Sequence, residues 1–173
     1  MSREQQESEG WKSLFDGKTL EGWATTGRPE GWAVDDGCIH CTVQGGGYLY
    51  TLDQFQDFEL AIEFKIDPGV NSGIFFRWSD LADPVHTGLE MQVLDTHGKE
   101  SMTTHDCGAL YDLVPPAKDA AKPAGEWNQA RIVCQGPQIA MDLNGEAVVR
   151  VNIDNWDTPG KNPDGTDNKF RYA

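Results

Sequence analysis

The residues best suited to chemistry begin on the stretch GLEMQVLDTHG, residues 88–98. Glu90 and Gln92 alternate there with apolar residues, and such period-two alternation places the two sets on opposite faces of a β-strand. A carboxylate and an amide on one face are typical of a sheet that hydrogen-bonds sugar hydroxyls. The alternative is a solvated outer face, which is common in antiparallel sheets.

An irregular segment, residues 96–126, follows this strand and adds further candidates. It carries His105 and Tyr111, and long loops in β domains are usually functional or disordered. Glu or His can act as a general base, and Tyr or His as a general acid. We therefore predict Glu90, His105 and Tyr111 as catalytic residues.

Four residues are predicted to bind substrate, namely Arg77, Trp78, Gln92 and Asp95. Arg77 and Trp78 end the neighbouring strand-like stretch SGIFFRWSD. If the two strands pair, Arg77 could share a face with Glu90 and Gln92. An arginine can then hydrogen-bond sugar hydroxyls while an aromatic ring stacks on a sugar face.

A divalent metal ion is a second chemical hypothesis, with His97 and Asp95 as its predicted ligands. Calcium, zinc and manganese all remain open. Further candidates nearby are His86, Glu90, His105 and Asp106. No recognised spacing such as His-Glu-x-x-His occurs, so scattered surface histidines are the alternative. The chain also lacks a P-loop or dinucleotide fingerprint, which argues against a nucleotide cofactor.

Two other polar groups favour structural interpretations. Glu59 and Glu63 share a strand face as in retaining glucanases, but Ala61 stands where those enzymes carry a tuning aspartate. The acid–nucleophile pair is then incomplete, and a solvated face is the better interpretation. The polar stretch at residues 155–170 is interpreted as a turn.

The elements that must position these residues are many short strands separated by turns. Period-two stretches, Asp36-Gly37 and Asn144-Gly145 hairpin signals, and the absence of a convincing amphipathic helix predict an all-β fold. We expect a jelly-roll sandwich of two antiparallel sheets. Residues 1–10 are predicted to be a flexible lead-in, and residues 11–173 a single β-sandwich domain.

The charge of the chain excludes several classes of partner. Its 28 acidic and 14 basic residues give a net charge of -14. Nucleic acid is excluded as a partner, since phosphate binding needs clustered Lys and Arg.

No stretch is apolar and long enough to span a membrane. No signal peptide is visible, so a periplasmic or secreted location is expected if this is a mature chain.

Six stretches, in this order, resemble the 3-keto-disaccharide hydrolase family. They are GWKSLFDGKTLEGW, FELAIEFKIDPGVNSGIFFR, GLEMQVLD, GALYDLVPP, KPAGEWNQARI and LNGEAVV, within about residues 10–155. The resemblance implies the concanavalin A-like lectin/glucanase fold and a bacterial glycan-degrading protein. Its substrates would be glycosides oxidised at C3 of the sugar.

For such a substrate, the residues above can be given roles by type and place. Glu90 or a loop histidine could be the base, and Tyr111 or His105 the acid. Arg77, or a metal held by His and carboxylate groups, could polarise the ketone. A non-catalytic, lectin-like carbohydrate-binding module is the alternative function.

The chain departs from the family pattern near Ala173. Relatives usually continue past KFRYA with a further strand. The expectation is therefore either a truncated chain or an exposed sheet edge, which another copy of the chain could cover in a homo-oligomer.

Overall fold

Alternating apolar and polar side chains make most of this chain form strands. The computed structural model describes residues 10–42 and 46–170 and confirms the predicted all-β fold with antiparallel sheets. The chain divides into two compact units, one ending at Gln54 and the other beginning at Phe55. The predicted lead-in lies outside the described residues, except for Gly10.

The first unit contains two antiparallel pairs of short strands. β1 (Trp23–Thr25) pairs with β4 (Leu49–Thr51), and β2 (Trp32–Asp35) pairs with β3 (Cys38–Cys41). A 3₁₀ turn, Pro29–Gly31, precedes β2. The unit therefore consists of paired strands and connecting turns.

The second unit contains a four-stranded sheet and a two-stranded ribbon. The sheet has the order β10-β9-β8-β5, and β6 pairs with β7 to form the ribbon. The bounds are β5 Phe58–Phe64, β6 Asn71–Phe76, α1 Pro84–Thr87, β7 Leu89–Leu94, β8 Asn128–Gln135, β9 Gln138–Leu143 and β10 Glu146–Asn152, followed by the 3₁₀ turn Ile153–Asn155. Within residues 10–42 and 46–170, no helix has the length and apolarity needed to cross a membrane.

The core of this unit lies between the sheet and the ribbon. Met91 of the ribbon and Ile132 and Met141 of the sheet are fully buried in one apolar cluster. The rings of Phe58 and Phe76 meet edge to face across it, 6.1 Å apart. The apolar row of β7 thus faces the sheet, as its alternation predicts, and Glu90 and Gln92 occupy the opposite row.

Residues that tolerate a positive φ close the two predicted hairpins. Asp36 and Gly37 have φ of 46° and 71°, and Asn144 and Gly145 have φ of 52° and 82°. Two consecutive positive φ angles are what a type I′ turn requires, and Asn, Asp and Gly accept them at the least cost. Both turns connect the strands predicted from the sequence.

The irregular segment after β7 returns and runs along the free edge of that strand. Gly108 N–H donates to the Gln92 carbonyl at 2.8 Å, and Tyr111 N–H donates to the Glu90 carbonyl at 2.9 Å. Leu110 bridges to Met91 and is completely buried. This edge segment, residues 108–111, therefore extends the ribbon by a third, short strand-like piece.

Leu110→Ala should weaken the second unit by about 2–5 kcal/mol, because it leaves a cavity in a packed core. Urea unfolding monitored by tryptophan fluorescence would measure the loss. Leu81→Ala is the matched control, since Leu81 is 48% exposed and its truncation should cost at most about 0.5 kcal/mol. Equal stabilities for the two variants would contradict the packing described for the edge segment.

Candidate functional site

Glu90 is the acidic residue around which the candidate site is built. It lies in the middle of β7, opposite Phe75 of β6. Its carboxylate lies over Gly73, where an added Cβ would fall 2.1 Å from Glu90 Oε1. No real Cβ contact is that short, so glycine at position 73 makes room for the carboxylate.

Lys169 brings the opposite charge to Glu90 from the far end of the described chain. Its Nζ lies 3.6 Å from Glu90 Oε2, and the Lys169 and Glu90 side chains are only 8% and 10% exposed. The same Nζ lies over the rings of Phe75, Tyr111 and Phe170, between 4.8 and 5.8 Å from their centroids. A cation over aromatic faces is attracted by their quadrupoles, which helps to hold the ammonium there.

Asn162 ties the segment that carries Lys169 to the irregular segment after β7. Its side-chain amide donates to the Asp112 carbonyl at 3.3 Å, and its amide oxygen accepts from Trp156 Nε1 at 2.8 Å. Asn168 also donates to that amide oxygen, at 3.3 Å. The stretch interpreted as a polar turn is therefore an ordered turn that positions the lysine.

Burial pulls the pKa values of this pair toward each other. Loss of hydration raises the pKa of Glu90, and the nearby Lys169 ammonium only partly opposes that rise. Burial likewise lowers the pKa of Lys169, against the opposing effects of Glu90 and then Asp112. Desolvation disfavours the charged form of each group, which is why the two shifts have opposite signs.

Tyr111 and His105 form the rim of the site beside this pair. The Tyr111 backbone is bonded to that of Glu90, and its ring meets the His105 ring at 4.8 Å. His105 Nε2 lies 3.1 Å from Asp112 Oδ1, with the imidazole 54% exposed. Burial raises the pKa of the Tyr111 phenol, with smaller contributions from Asp112 and Glu90. The structure thus brings together all three residues predicted to be catalytic.

Asp106 fixes the shape of the loop that carries His105. It is 3% exposed, and its carboxylate accepts hydrogen bonds from Lys99 Nζ at 2.7 and 2.8 Å. It also accepts from the backbone N–H and hydroxyl of Thr103, at 2.6 and 2.8 Å. These bonds lower the pKa of Asp106 despite its burial. A buried carboxylate with several donors holds its surroundings in one arrangement.

Three more predicted site residues lie further along β7 and in the loop after it, and each side chain forms a hydrogen bond with the backbone. They are Gln92, Asp95 and His97. Gln92 Nε2 donates to the His105 carbonyl at 3.3 Å. Asp95 Oδ2 accepts from Gly69 N–H at 2.9 Å, and His97 Nδ1 lies 2.7 Å from the Ala121 carbonyl oxygen. Their predicted contacts with sugar or metal stay predictions.

Arg77 is held away from Glu90 by its own backbone. Its φ of 53° turns the chain as β6 ends. Its guanidinium donates to the carbonyls of Gln56 and Gly136 and to Asp57. Trp78 lies beside Phe75, with ring centroids 6.4 Å apart. The expectation that Arg77 shares the polar face of Glu90 is therefore not met, whereas Trp78 lies near the edge of that face.

The residues proposed for a metal do not assemble a donor set. Among the described residues, no cluster of three or more His, Cys, Asp or Glu groups is arranged to hold a metal ion. Asp95 and His97 are each bonded to backbone groups. Asp95 and His97 therefore do not form a metal site with other residues in the described part of the chain, and the metal ion stays a prediction.

The carboxylates on β5 belong to the outer face of the four-stranded sheet. Glu59 Oε1 accepts from Arg131 Nε at 2.6 Å, and Glu63 Oε1 accepts from Gln129 Nε2 at 2.9 Å. Both are cross-strand contacts between β5 and β8. They agree with the interpretation of a solvated, charge-paired face.

Lys169 is the site residue that the sequence does not reveal. It lies in a stretch rich in Asn, Asp, Gly and Pro, and it has no periodic neighbour that indicates burial. The only local hint is the adjoining Phe170, an apolar residue after a polar run. The environment of Lys169 depends on distant residues, notably Phe75 and Glu90.

Several solved structures share this architecture. Two from Parabacteroides distasonis, both provisionally described as glycosyl hydrolases, are similar in fold. One has a TM-score of 0.79 and 34% identity over 91% of this chain and 80% of its own. The other has a TM-score of 0.74 and 27% identity over 88% and 76%. A carbohydrate-binding module from Bacillus subtilis, CBM66, shares the fold at a TM-score of 0.51 and 17% identity over 76% of this chain and 79% of its own.

Sequence comparison then defines the family. Residues 10–170 match the 3-keto-alpha-glucoside-1,2-lyase-like domain, and the chain belongs to that family. A relative from Bacteroides thetaiotaomicron described as a 3-keto-disaccharide hydrolase is 32% identical over 85% of this chain. The match spans 60% of the length of that relative.

Glu90 should titrate above the usual range of a glutamate, and Lys169→Met should raise its pKa further by removing the nearby positive charge. The raised pKa means that the folded state binds this proton more tightly than the unfolded chain does. The contribution of Glu90 to the free energy of unfolding is therefore lost as pH rises from its pKa in the unfolded chain through its pKa in the folded state. NMR titration of ¹³C-labelled glutamate carboxyls, with Glu90→Gln for assignment, measures the pKa. A Glu90 pKa at or below 4.5 would contradict the burial described.

Proposed function

We propose that this chain cleaves glycosides whose sugar carries a ketone at C3, with Glu90 as the general base. The observation behind the proposal is that the Glu90 side chain is almost completely buried and lies beside the rim formed by Tyr111 and His105. Membership of the family and the name of the Bacteroides thetaiotaomicron relative support the choice of substrate class.

The C3 ketone makes a carboxylate sufficient to begin the reaction. It acidifies the hydrogen on C2, and Glu90 takes that proton to leave an enolate. The C1 substituent lies β to the ketone, so the enolate expels its oxygen and a C1=C2 double bond forms. Water then adds at C1, and C2 is protonated again. A base whose pKa is raised toward the working pH is more effective in such a transfer.

The leaving oxygen needs a proton, and Tyr111 is well suited to donate it. A phenol is protonated at neutral pH, and burial, which raises the pKa of Tyr111, keeps this proton in place until negative charge develops on the leaving oxygen. His105 adjoins the Tyr111 ring, bonds to Asp112 and is half exposed. It can therefore return a proton from solvent to the phenol. We assign Tyr111 as the acid and His105 as the group that resupplies its proton.

A 3-keto-glucoside should be turned over while its unoxidised parent is not, because only the ketone acidifies C2. Released sugar measured by chromatography tests this, with EDTA added in a parallel series. Glu90→Gln should retain the fold and lose at least about 100-fold in kcat, in line with the typical contribution of a general base. Full activity in this variant would remove Glu90 from the mechanism.

The controls separate this enzyme from a binding module of the same fold. Binding of both sugars without cleavage of either would favour a non-catalytic carbohydrate-binding protein. If EDTA abolishes turnover and one kind of added divalent ion restores it, the reaction needs a metal ion.

Gly73→Ala should reduce kcat strongly, because the added methyl group would lie 2.1 Å from Glu90 Oε1 and displace the carboxylate. Ser72→Ala is the matched control on the same strand, since Ser72 pairs with Val93 on the other face of the ribbon. Circular dichroism would check that both variants fold. Normal activity in Gly73→Ala would mean that the position of Glu90 is not critical.

A further inference from the structure

The Lys169 ammonium group is buried without a hydrogen bond of its own. Among the described residues, its Nζ has no hydrogen-bond partner and is closed from solvent. Its ion-pair partner Glu90 is 3.6 Å away, beyond ordinary hydrogen-bond length. Buried polar groups are nearly always bonded, so such an exception needs an explanation. A lysine has three N–H donors, and in the described part of the chain none of the three meets a hydrogen-bond acceptor.

We propose that Lys169 donates a hydrogen bond to the C3 ketone oxygen of the substrate and stabilises the enolate that forms when Glu90 removes the C2 proton. This inference rests on the function proposed above. It assigns to Lys169 the electrophilic role for which the sequence offered only Arg77 or a metal. Arg77 instead donates to Gln56, Gly136 and Asp57.

The spacing of the two groups fits the substrate. A carbon next to a carbonyl lies about 2.4 Å from the carbonyl oxygen, given the usual C–C and C=O bond lengths. A base and a donor that approach these two atoms from the same side, each at about 2.6–3.2 Å, can therefore lie only a few ångströms apart. Glu90 Oε2 and Lys169 Nζ are 3.6 Å apart. One short fragment of the sugar can thus meet both groups once the side chains that close Nζ from solvent have moved aside.

The charges balance through the step. The C2–H bond breaks, its proton goes to Glu90, and its electron pair moves into the C2–C3 bond while the C3 oxygen becomes negative. A positive group beside that oxygen is then worth more than it was beside the neutral ketone. When the enolate collapses and the C1–O bond breaks, the negative charge moves to the leaving oxygen, which takes the proton of Tyr111.

The aromatic rings around Lys169 hold its ammonium group in a place poor in water. Phe75, Tyr111 and Phe170 present ring faces to Nζ. The competing carboxylate is that of Glu90, 3.6 Å away, and it loses its charge when it takes the C2 proton. The rings also keep the surroundings poor in water, where a fixed charge acts more strongly. Once the substrate oxygen has reached it, a donor held in such a place needs little rearrangement during the reaction.

Lys169→Met tests the proposal, since methionine keeps much of the bulk and removes the charge and donors. We expect kcat on the 3-keto-glucoside to fall about 100- to 1,000-fold, as for loss of one oxyanion donor, with a much smaller change in KM. Lys169→Arg should recover part of the loss. Lys161→Met is the matched control in the same segment, because Lys161 is half exposed and pairs with Asp167. It should keep full activity.

A pH profile separates a direct role from an indirect one. If Lys169 only tuned Glu90, Lys169→Met would regain the wild-type kcat at higher pH, where Glu90 is ionised. The proposal predicts a lower kcat plateau that no pH restores. It also predicts a larger primary isotope effect with substrate deuterated at C2, because proton removal becomes more limiting.

The outcomes distinguish this inference from the function on which it rests. If the wild-type chain does not cleave the 3-keto-glucoside, the proposed function fails and this inference fails with it. If the wild type is active and Lys169→Met matches it, or regains its kcat at high pH, only the role of Lys169 is overturned. A folded Lys169→Met with a lower plateau and a larger isotope effect supports the role.

Discussion

The removal of one carboxylate and one ammonium group from water is the constraint on which the candidate site depends. Burying either charge alone is costly, and even a pair regains the loss only in good geometry. The surroundings of Glu90 and Lys169 supply that geometry from three parts of the second unit. Gly73 leaves space under the carboxylate, the edge segment at 108–111 closes one side, and Asn162 fixes the turn that brings the ammonium in.

Much of the fold could be predicted because its signals are local. Alternation within a strand identifies its buried face, and Asp36-Gly37 and Asn144-Gly145 carry the φ angles that hairpins need. Among the described residues, the strands divide into one four-stranded sheet and three strand pairs. This division depends on tertiary pairing, which alternation does not encode. For the same reason, residues 108–111 carried no strand signal, although they hydrogen-bond along β7.

The site was only partly predictable, for reasons visible in individual residues. His105 and Tyr111 come near Glu90 because one segment leaves its strand and returns along the edge of that strand. Arg77 follows the alternation of its strand in the sequence, but its positive φ turns it to other partners. Lys169 meets Glu90 only through the folding of distant segments, so neither spacing nor periodicity indicates the contact.

Lys169 lies far after Glu90 in the chain, so the two charged groups of the site are synthesised at different times. At typical elongation rates Glu90 leaves the ribosome about 4–16 s before Lys169 does. In that interval the ribbon and the edge segment can already pair, while the carboxylate has no counter-charge and keeps its water. The core of the second unit can therefore form around an unfinished site. The segment that carries Lys169 emerges later and then closes the site, by replacing that water with an ammonium group and aromatic rings.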